Sequence, residues 1–210
     1  MTDTKKYELR YSEEGQEFTA NDEGVVEGYP VVFDKPATIY CYDGTFTEYI
    51  DRGALDETNL QDVQFLVNHN GQGITMARSR RNNENSTMQL EVDEIGLHMR
   101  ARLDIENNAE ARALHSAIKR GDISGMSFRF QVESEEWEGL KTDNPIRHIK
   151  AVKYIREISA VNEPAYQDTS ISARSQDCGV DALEKARSVE DSNGAKALEL
   201  AKAKNKIYFQ

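Results

Sequence analysis

The residues of this chain whose types and settings could do chemistry are a serine, a histidine and a glutamate: Ser127, His69 and Glu157. Together they would supply a nucleophile, a base and an orienting acid, the parts of an acyl-transfer site. Ser127 stands in the run GDISGMSFRF, just past a turn and at the head of an alternating segment. Phe128, Phe130 and Val132 share one face of that segment, while Ser127, Arg129 and Gln131 share the other. With the aromatics turned to the core, Ser127 is expected to stand accessible on rigid backbone. Ser124 lies in the preceding turn, where a hydroxyl more often satisfies loop backbone. A GxSxG elbow is excluded, because Arg129 stands where its last glycine belongs and a strand follows where a helix would start.

A serine needs a base, and the chain has four histidines. His98, in LHMRARL, reads as a solvated strand position, and His115 as a boundary position of an amphipathic helix. His148, in NPIRHIKAV, lies near the start of a strand. His69 differs, standing in Asn68-His69-Asn70 directly after the apolar run VQFLV, where a turn can fix a group at the rim of a core. Glu157 shares a strand face with Ile155, Ser159 and Val161, an acid in apolar company. Such an acid pairs with a structural arginine or with a catalytic histidine. Residue by residue, the ordinary readings stay open: a turn serine, a hydrogen-bonded turn histidine, an arginine-paired glutamate.

The elements that must position these residues are mostly strands. GVVEGYPVVF is rich in β-branched and aromatic residues, and GTFTEYI alternates Phe46, Glu48 and Ile50 against Thr45, Thr47 and Tyr49. VQFLV is short enough for a strand buried on both faces. Met88, Leu90 and Val92 alternate into a DEIG turn, and Leu97, Met99, Ala101 and Leu103 alternate back, which predicts a hairpin. One helix interrupts the strands, capped by Asn107 or Asn108 and stopped at Gly121. SFRFQV and HIKAVKYIREISAV predict two more strands, the second broken, joined by a polar linker ESEEWEGLKTDNP. Many strands and one good helix predict a mainly β, α+β domain over residues 20–174: a β-barrel with helices packed outside. Residues 1–19 read as an N-terminal extension. Residues 175–210 read as an Ala/Glu/Lys-rich tail, partly helical or disordered and loosely attached. Its closing IYFQ is similar to the end of a tag-removal site and carries no functional weight.

Composition narrows the function further. A formal net charge of −11 argues against a nucleic-acid partner, which calls for a basic surface. The cluster Arg78, Arg80 and Arg81 is the local exception and reads as a solvated loop. No apolar run reaches the length of a membrane span, and MTDTKKYELR lacks the apolar stretch of a signal peptide. Cys41 and Cys178 lie far apart with no metal-binding spacing, so neither a disulfide framework nor a zinc site is expected, and a reducing interior is. Nucleotide-binding and HExxH motifs are missing, and no cofactor or metal is expected.

Taken in order, several segments resemble the prohead (capsid maturation) proteases of tailed phages of the HK97 type. They are EGYPVVFD, FTEYIDRGAL, FLVNHN, VDEIGLHMRARLD, GDISGMSFRF and IREISAVNEPAYQDTSISARS, spread from about Val26 to Ser175. The resemblance puts the family's histidine at His69, its nucleophilic serine at Ser127 and its acid, ahead of Ser-x-Val-x-x-Pro-Ala, at Glu157. Arg129 departs from the pattern, standing where many relatives have glycine, which bears on the width of the adjacent cleft. The family is similar in fold to the herpesvirus assemblins, in which a second histidine takes the third place. His148 therefore competes with Glu157. The resemblance implies a serine endopeptidase without cofactor, at work in the prohead interior within the bacterial cytoplasm. Its implied partners are the major capsid protein with its scaffolding segment, its own tail and further copies of itself. A non-catalytic capsid-assembly or scaffolding protein on the same fold is the alternative.

Overall fold

The computed structural model describes residues 7–11, 18–41, 44–162, 182–193 and 196. Its spine is a strand of 16 residues, β11 (Ile146–Val161), paired antiparallel along one edge with β10 (Gly125–Glu138). The other edge of β11 takes two parallel strands in succession. β5 (Gly44–Ile50) lies against Ile146–Ile149, and β6 (Gln64–Val67) against Glu157–Ala160. β4 (Ala37–Cys41) flanks β5, and β7 (Ala77–Arg78) flanks β6. The outer edge of β10 is covered by β1 (Glu8–Tyr11), whose residues belong to the stretch read from sequence as an N-terminal extension. A second sheet orders β2 (Thr19–Ala20), β3 (Val25–Val32), β9 (Gly96–Arg102) and β8 (Met88–Val92).

The expected barrel is corrected. The described strands form a seven-stranded and a four-stranded ladder that do not close on one another. The β10–β11 pair accepts strands on both its edges, so its hydrogen bonds are satisfied within one sheet. The smaller sheet meets it through side chains instead. Val26, Met88, Leu97 and Met99 share one buried cluster with Phe65, Phe128, Phe130 and Ile155, and Phe18 meets Phe65 edge-on at 6.4 Å. The mainly β, α+β class stands.

Local signals explain several elements. Helix α1 (Ala109–Arg120) starts at Asn108, whose side chain accepts from the amides of Glu110 and Ala111, and ends at Gly121 with φ +79°, the left-handed geometry glycine tolerates. The β8–β9 turn closes on Asp93, whose Oδ1 accepts from Ile95 N and Gly96 N. Residues 133–138, read as linker, continue β10, and β11 runs unbroken. A second helix, α2 (residues 182–193), lies in the expected tail. Its Leu183 is buried, and its Arg187 Nε donates to the Leu140 carbonyl at 3.0 Å.

Beneath the β1 edge lies a cluster of five charged side chains. Arg10 donates to both oxygens of Glu48 (2.5 and 2.7 Å) and to Glu8 (2.6 Å). Arg147 donates to Glu48 (2.9 Å), to Glu8 (2.5 and 2.8 Å) and, through Nε, to Glu135 (2.8 Å). Burial pushes the Glu8 carboxyl up, yet the charge of Arg10 and the hydrogen bonds and charge of Arg147 outweigh it and hold it down at about 2. A carboxyl depressed in the folded state contributes stability above its unfolded value and loses it as pH falls through the folded one. The window here runs from about 4.5 down to about 2, and the stabilisation is fully present at neutral pH. Urea unfolding at a series of pH values should therefore show wild type losing this increment across that window. A Glu8→Gln chain, less stable at pH 7, should show a flatter profile. Parallel profiles would mean that Glu8 is not held as described.

Candidate active site

Ser127, His69 and Glu157 are positioned by three adjacent strands. Ser127 on β10 stands directly opposite Ser159 on β11, and Arg129 opposite Glu157. On the far edge of β11, Ser159 faces Leu66 and Ala160 faces Val67, the last residues of β6. The chain then leaves β6 through two residues in the left-handed region, Asn68 (φ 47°) and His69 (φ 59°). Asparagine and histidine tolerate this region better than most side chains, but the backbone still costs about 1 to 3 kcal/mol per residue. Tight local bonds hold the turn: Asn68 N donates to Ala160 O (2.9 Å), Asn70 N to Val67 O (3.0 Å) and Asn162 N to Asn68 Oδ1 (3.3 Å).

This turn sets the imidazole of His69 against the strand it has just left. Its Nδ1 lies 2.6 Å from Glu157 Oε1, with side chains 15% and 5% exposed. A carboxylate only accepts, so a proton lies on Nδ1, and Nε2 is the ring nitrogen turned away from the acid. The second oxygen of Glu157 accepts from Ser159 Oγ at 2.6 Å, and the same hydroxyl accepts from the backbone amide of His69 at 3.2 Å. Arg129 Nε lies 3.8 Å from Glu157 Oε1 and adds a half-exposed positive charge to that oxygen.

Ser127 is not accessible as expected. It is fully buried, and its Oγ donates to the carbonyl of Arg10 at 2.7 Å. The reason is β1, which pairs with the outer edge of β10 and brings Tyr11 opposite Ser127. Its serine hydroxyl makes no hydrogen bond to His69 among the described residues. His148 is nine residues from Glu157 in the same strand, about 30 Å at strand rise. It stacks on Tyr49 at 5.2 Å, and its Nδ1 lies 2.8 Å from Asp51, which also accepts from Lys150. His98 packs on Tyr29, and His115 Nε2 meets the Asn21 carbonyl. Ser124 is exposed.

The sequence reading missed the part played by Ser159 and by the Arg10 carbonyl. Ser159 shares the strand face of Glu157, a signal that was legible. Arg10 carried none, because its partners are 38 and 117 residues away.

The chain matches the family of caudovirus prohead serine proteases over residues 5–182. It belongs to that family. It is also similar to the prohead protease of Enterobacteria phage HK97, at 27% identity over 187 residues, covering 87% of this chain and 73% of that one. No solved structure is a significant match. The prohead protease family is one of serine proteases, and the strand that carries Ser127 runs beside the His69–Glu157 pair. Among the described residues no cluster of three His, Cys, Asp or Glu side chains suits a metal ion, and no helix is long and apolar enough to cross a membrane.

Proposed function

We propose that this prohead protease is a serine endopeptidase with Ser127 as nucleophile, His69 as base and Glu157 as orienting acid. The observation that carries the reading is the buried 2.6 Å bond from His69 Nδ1 to Glu157, which directs the basic Nε2 away from the acid. In the reaction Ser127 Oγ leaves the Arg10 carbonyl and turns to His69, which takes its proton as Oγ attacks a peptide carbonyl. The positive charge then on the imidazole is balanced by Glu157. The same proton passes to the departing amine, and water, deprotonated by His69, releases the acyl group. Backbone amides would hold the oxyanion.

The substrates are the scaffolding segment of the major capsid protein and the chain's own tail, cleaved inside the prohead in the host cytoplasm, where copies of the enzyme can meet. The HK97 relative's name, prohead protease, supports the prohead as the place of cleavage. We read the two packed sheets as a variant of the assemblin fold, with Glu157 in the place of the second histidine. Incubating the chain with its own capsid protein and mapping new termini by mass spectrometry tests the function directly. Intact capsid protein, with no labelling of the chain by a fluorophosphonate, would refute it.

A second reading, a non-catalytic assembly protein on this fold, is favoured by one observation: the Ser127 hydroxyl is buried and already engaged by Arg10 O. Fluorophosphonate labelling that maps to Ser127 would exclude it.

The third member is tested by two amide substitutions. Glu157→Gln keeps the shape but removes the charge that stabilises cationic His69, and should cut turnover by roughly two to four orders of magnitude with the fold retained. His148→Gln should cost little, because His148 is tied to Asp51 far along the strand. The reverse ranking in steady-state rates would give the third place to His148.

A further inference from the structure

We propose that Ser159 is a positioning residue of this site, its hydroxyl holding the acid and the base in one frame. The inference rests on the Ser127–His69–Glu157 reading and adds a residue to it. Ser159 is fully buried and stands where the three strands meet, opposite Ser127 on one side and opposite Leu66 on the other. Its hydrogen bonds have forced directions. Glu157 Oε2 can only accept, so Oγ–H donates to it at 2.6 Å, and the His69 amide can only donate, so Oγ accepts from it at 3.2 Å.

Each bond removes a freedom that catalysis cannot tolerate. The terminal torsion of a glutamate is broad, so one bond from Oε1 to His69 does not fix the carboxylate plane. A second bond at Oε2 does. The His69 backbone sits in a sparsely populated region and needs outside support to remain there. The Ser159 hydroxyl supplies part of it. One oxygen atom thus fixes the plane of the acid and the backbone from which the base hangs. A hydroxyl at a fully buried strand position is costly unless bonded, and the partners found for it are the two members of the proposed site.

The test uses the full chain with Ser159→Ala and Ser159→Thr, which keeps Oγ and suits a strand. Saturation kinetics with a fluorophosphonate probe separate the acylation rate from probe binding. In Ser159→Ala the maximal acylation rate should fall about 10- to 100-fold with the half-saturating probe concentration near wild type, as expected for misorientation. The low-field proton resonance of His69 Nδ1–H should move or broaden, and the melting temperature should fall by several degrees with unfolding still cooperative, because Glu157 Oε2 and the His69 amide each lose a partner. Ser159→Thr should recover both rate and resonance. An Ala variant that acylates at the wild-type rate would overturn the proposal. So would one that slows while the His69 resonance stays in place, since its effect would not pass through the His69–Glu157 pair. Labelling that persists in Ser127→Ala would instead overturn the catalytic reading. The resonance, observed without turnover, distinguishes that failure from a failure of Ser159 itself.

Discussion

The Ser127→Ala chain is expected to cleave neither capsid protein nor itself, and to take no fluorophosphonate label, while keeping its fold. The substitution removes one oxygen atom from a position already closed by β1. What it deletes structurally is a single hydrogen bond, from Oγ to the Arg10 carbonyl, worth about 1 kcal/mol. The strand pairing of β10 with β1 and β11 uses backbone groups and survives. Chemically the deletion removes the proposed nucleophile, and its neighbours by alternation, Arg129 and Gln131, carry no hydroxyl to replace it. Loss of a nucleophile of this kind lowers turnover by about a millionfold where it has been measured. Ser124→Ala is the control. Ser124 is exposed in the turn before β10, and its loss should leave cleavage near the wild-type rate. Mass-spectrometric mapping of new termini checks both. Cleavage by Ser127→Ala together with silence from Ser124→Ala would transfer the nucleophile to Ser124.

Elements set by neighbours in sequence were legible; those set by distant partners were not. The α1 caps, the β8–β9 turn on Asp93 and the alternation of β5 depend on residues within a few positions of one another. The tail of β10 depends on something else. Residues 133–138 look like an acidic linker, yet Glu135 and Trp137 line the sheet because Arg147 stands opposite Trp137, lies over its ring at 5.6 Å and binds Glu135. Glu48 shows the same effect, an acid on the inward face of β5 that is buried because Arg10 and Arg147 arrive from 38 and 99 residues away. β1 is illegible for the matching reason. Four residues carry little periodicity, and the buried charge that anchors Arg10 inverts the usual sign of a polar residue. At the site, the local setting of His69 and Glu157 could be read, each polar in apolar company. Their 88-residue separation is closed by the parallel register of β6 on β11, which no local pattern encodes, and the family resemblance joined them instead.

That register makes His69→Ala the companion experiment with an effect comparable to loss of the nucleophile. The imidazole donates from Nδ1 to Glu157, so in the proposed mechanism Nε2 is the nitrogen that would receive the serine proton. Without it the hydroxyl stays protonated, and a neutral serine is a poor nucleophile. Turnover should fall about 10⁴- to 10⁶-fold. The cost to the fold is smaller. Glu157 loses one partner but keeps the Ser159 hydroxyl and the nearby charge of Arg129, and the left-handed backbone at residue 69 keeps the hydrogen bond from its N–H to Ser159 Oγ. Stability should drop by about 1 to 3 kcal/mol, the penalty for a buried acceptor deprived of a bond. His98→Gln and His115→Gln should keep most of the activity, since neither ring lies among the residues gathered around Glu157. Free imidazole gives the sharper discrimination. It can enter the space left by the ring, be oriented by the same carboxylate and accept the same proton. Added imidazole should therefore restore part of the cleavage rate to His69→Ala and none to Ser127→Ala, which still lacks the attacking oxygen. A wild-type rate in the His69 variant would remove base-assisted serine attack from this protein, because a nucleophile that needs no base at residue 69 is not the one that Glu157 and Ser159 are arranged to serve.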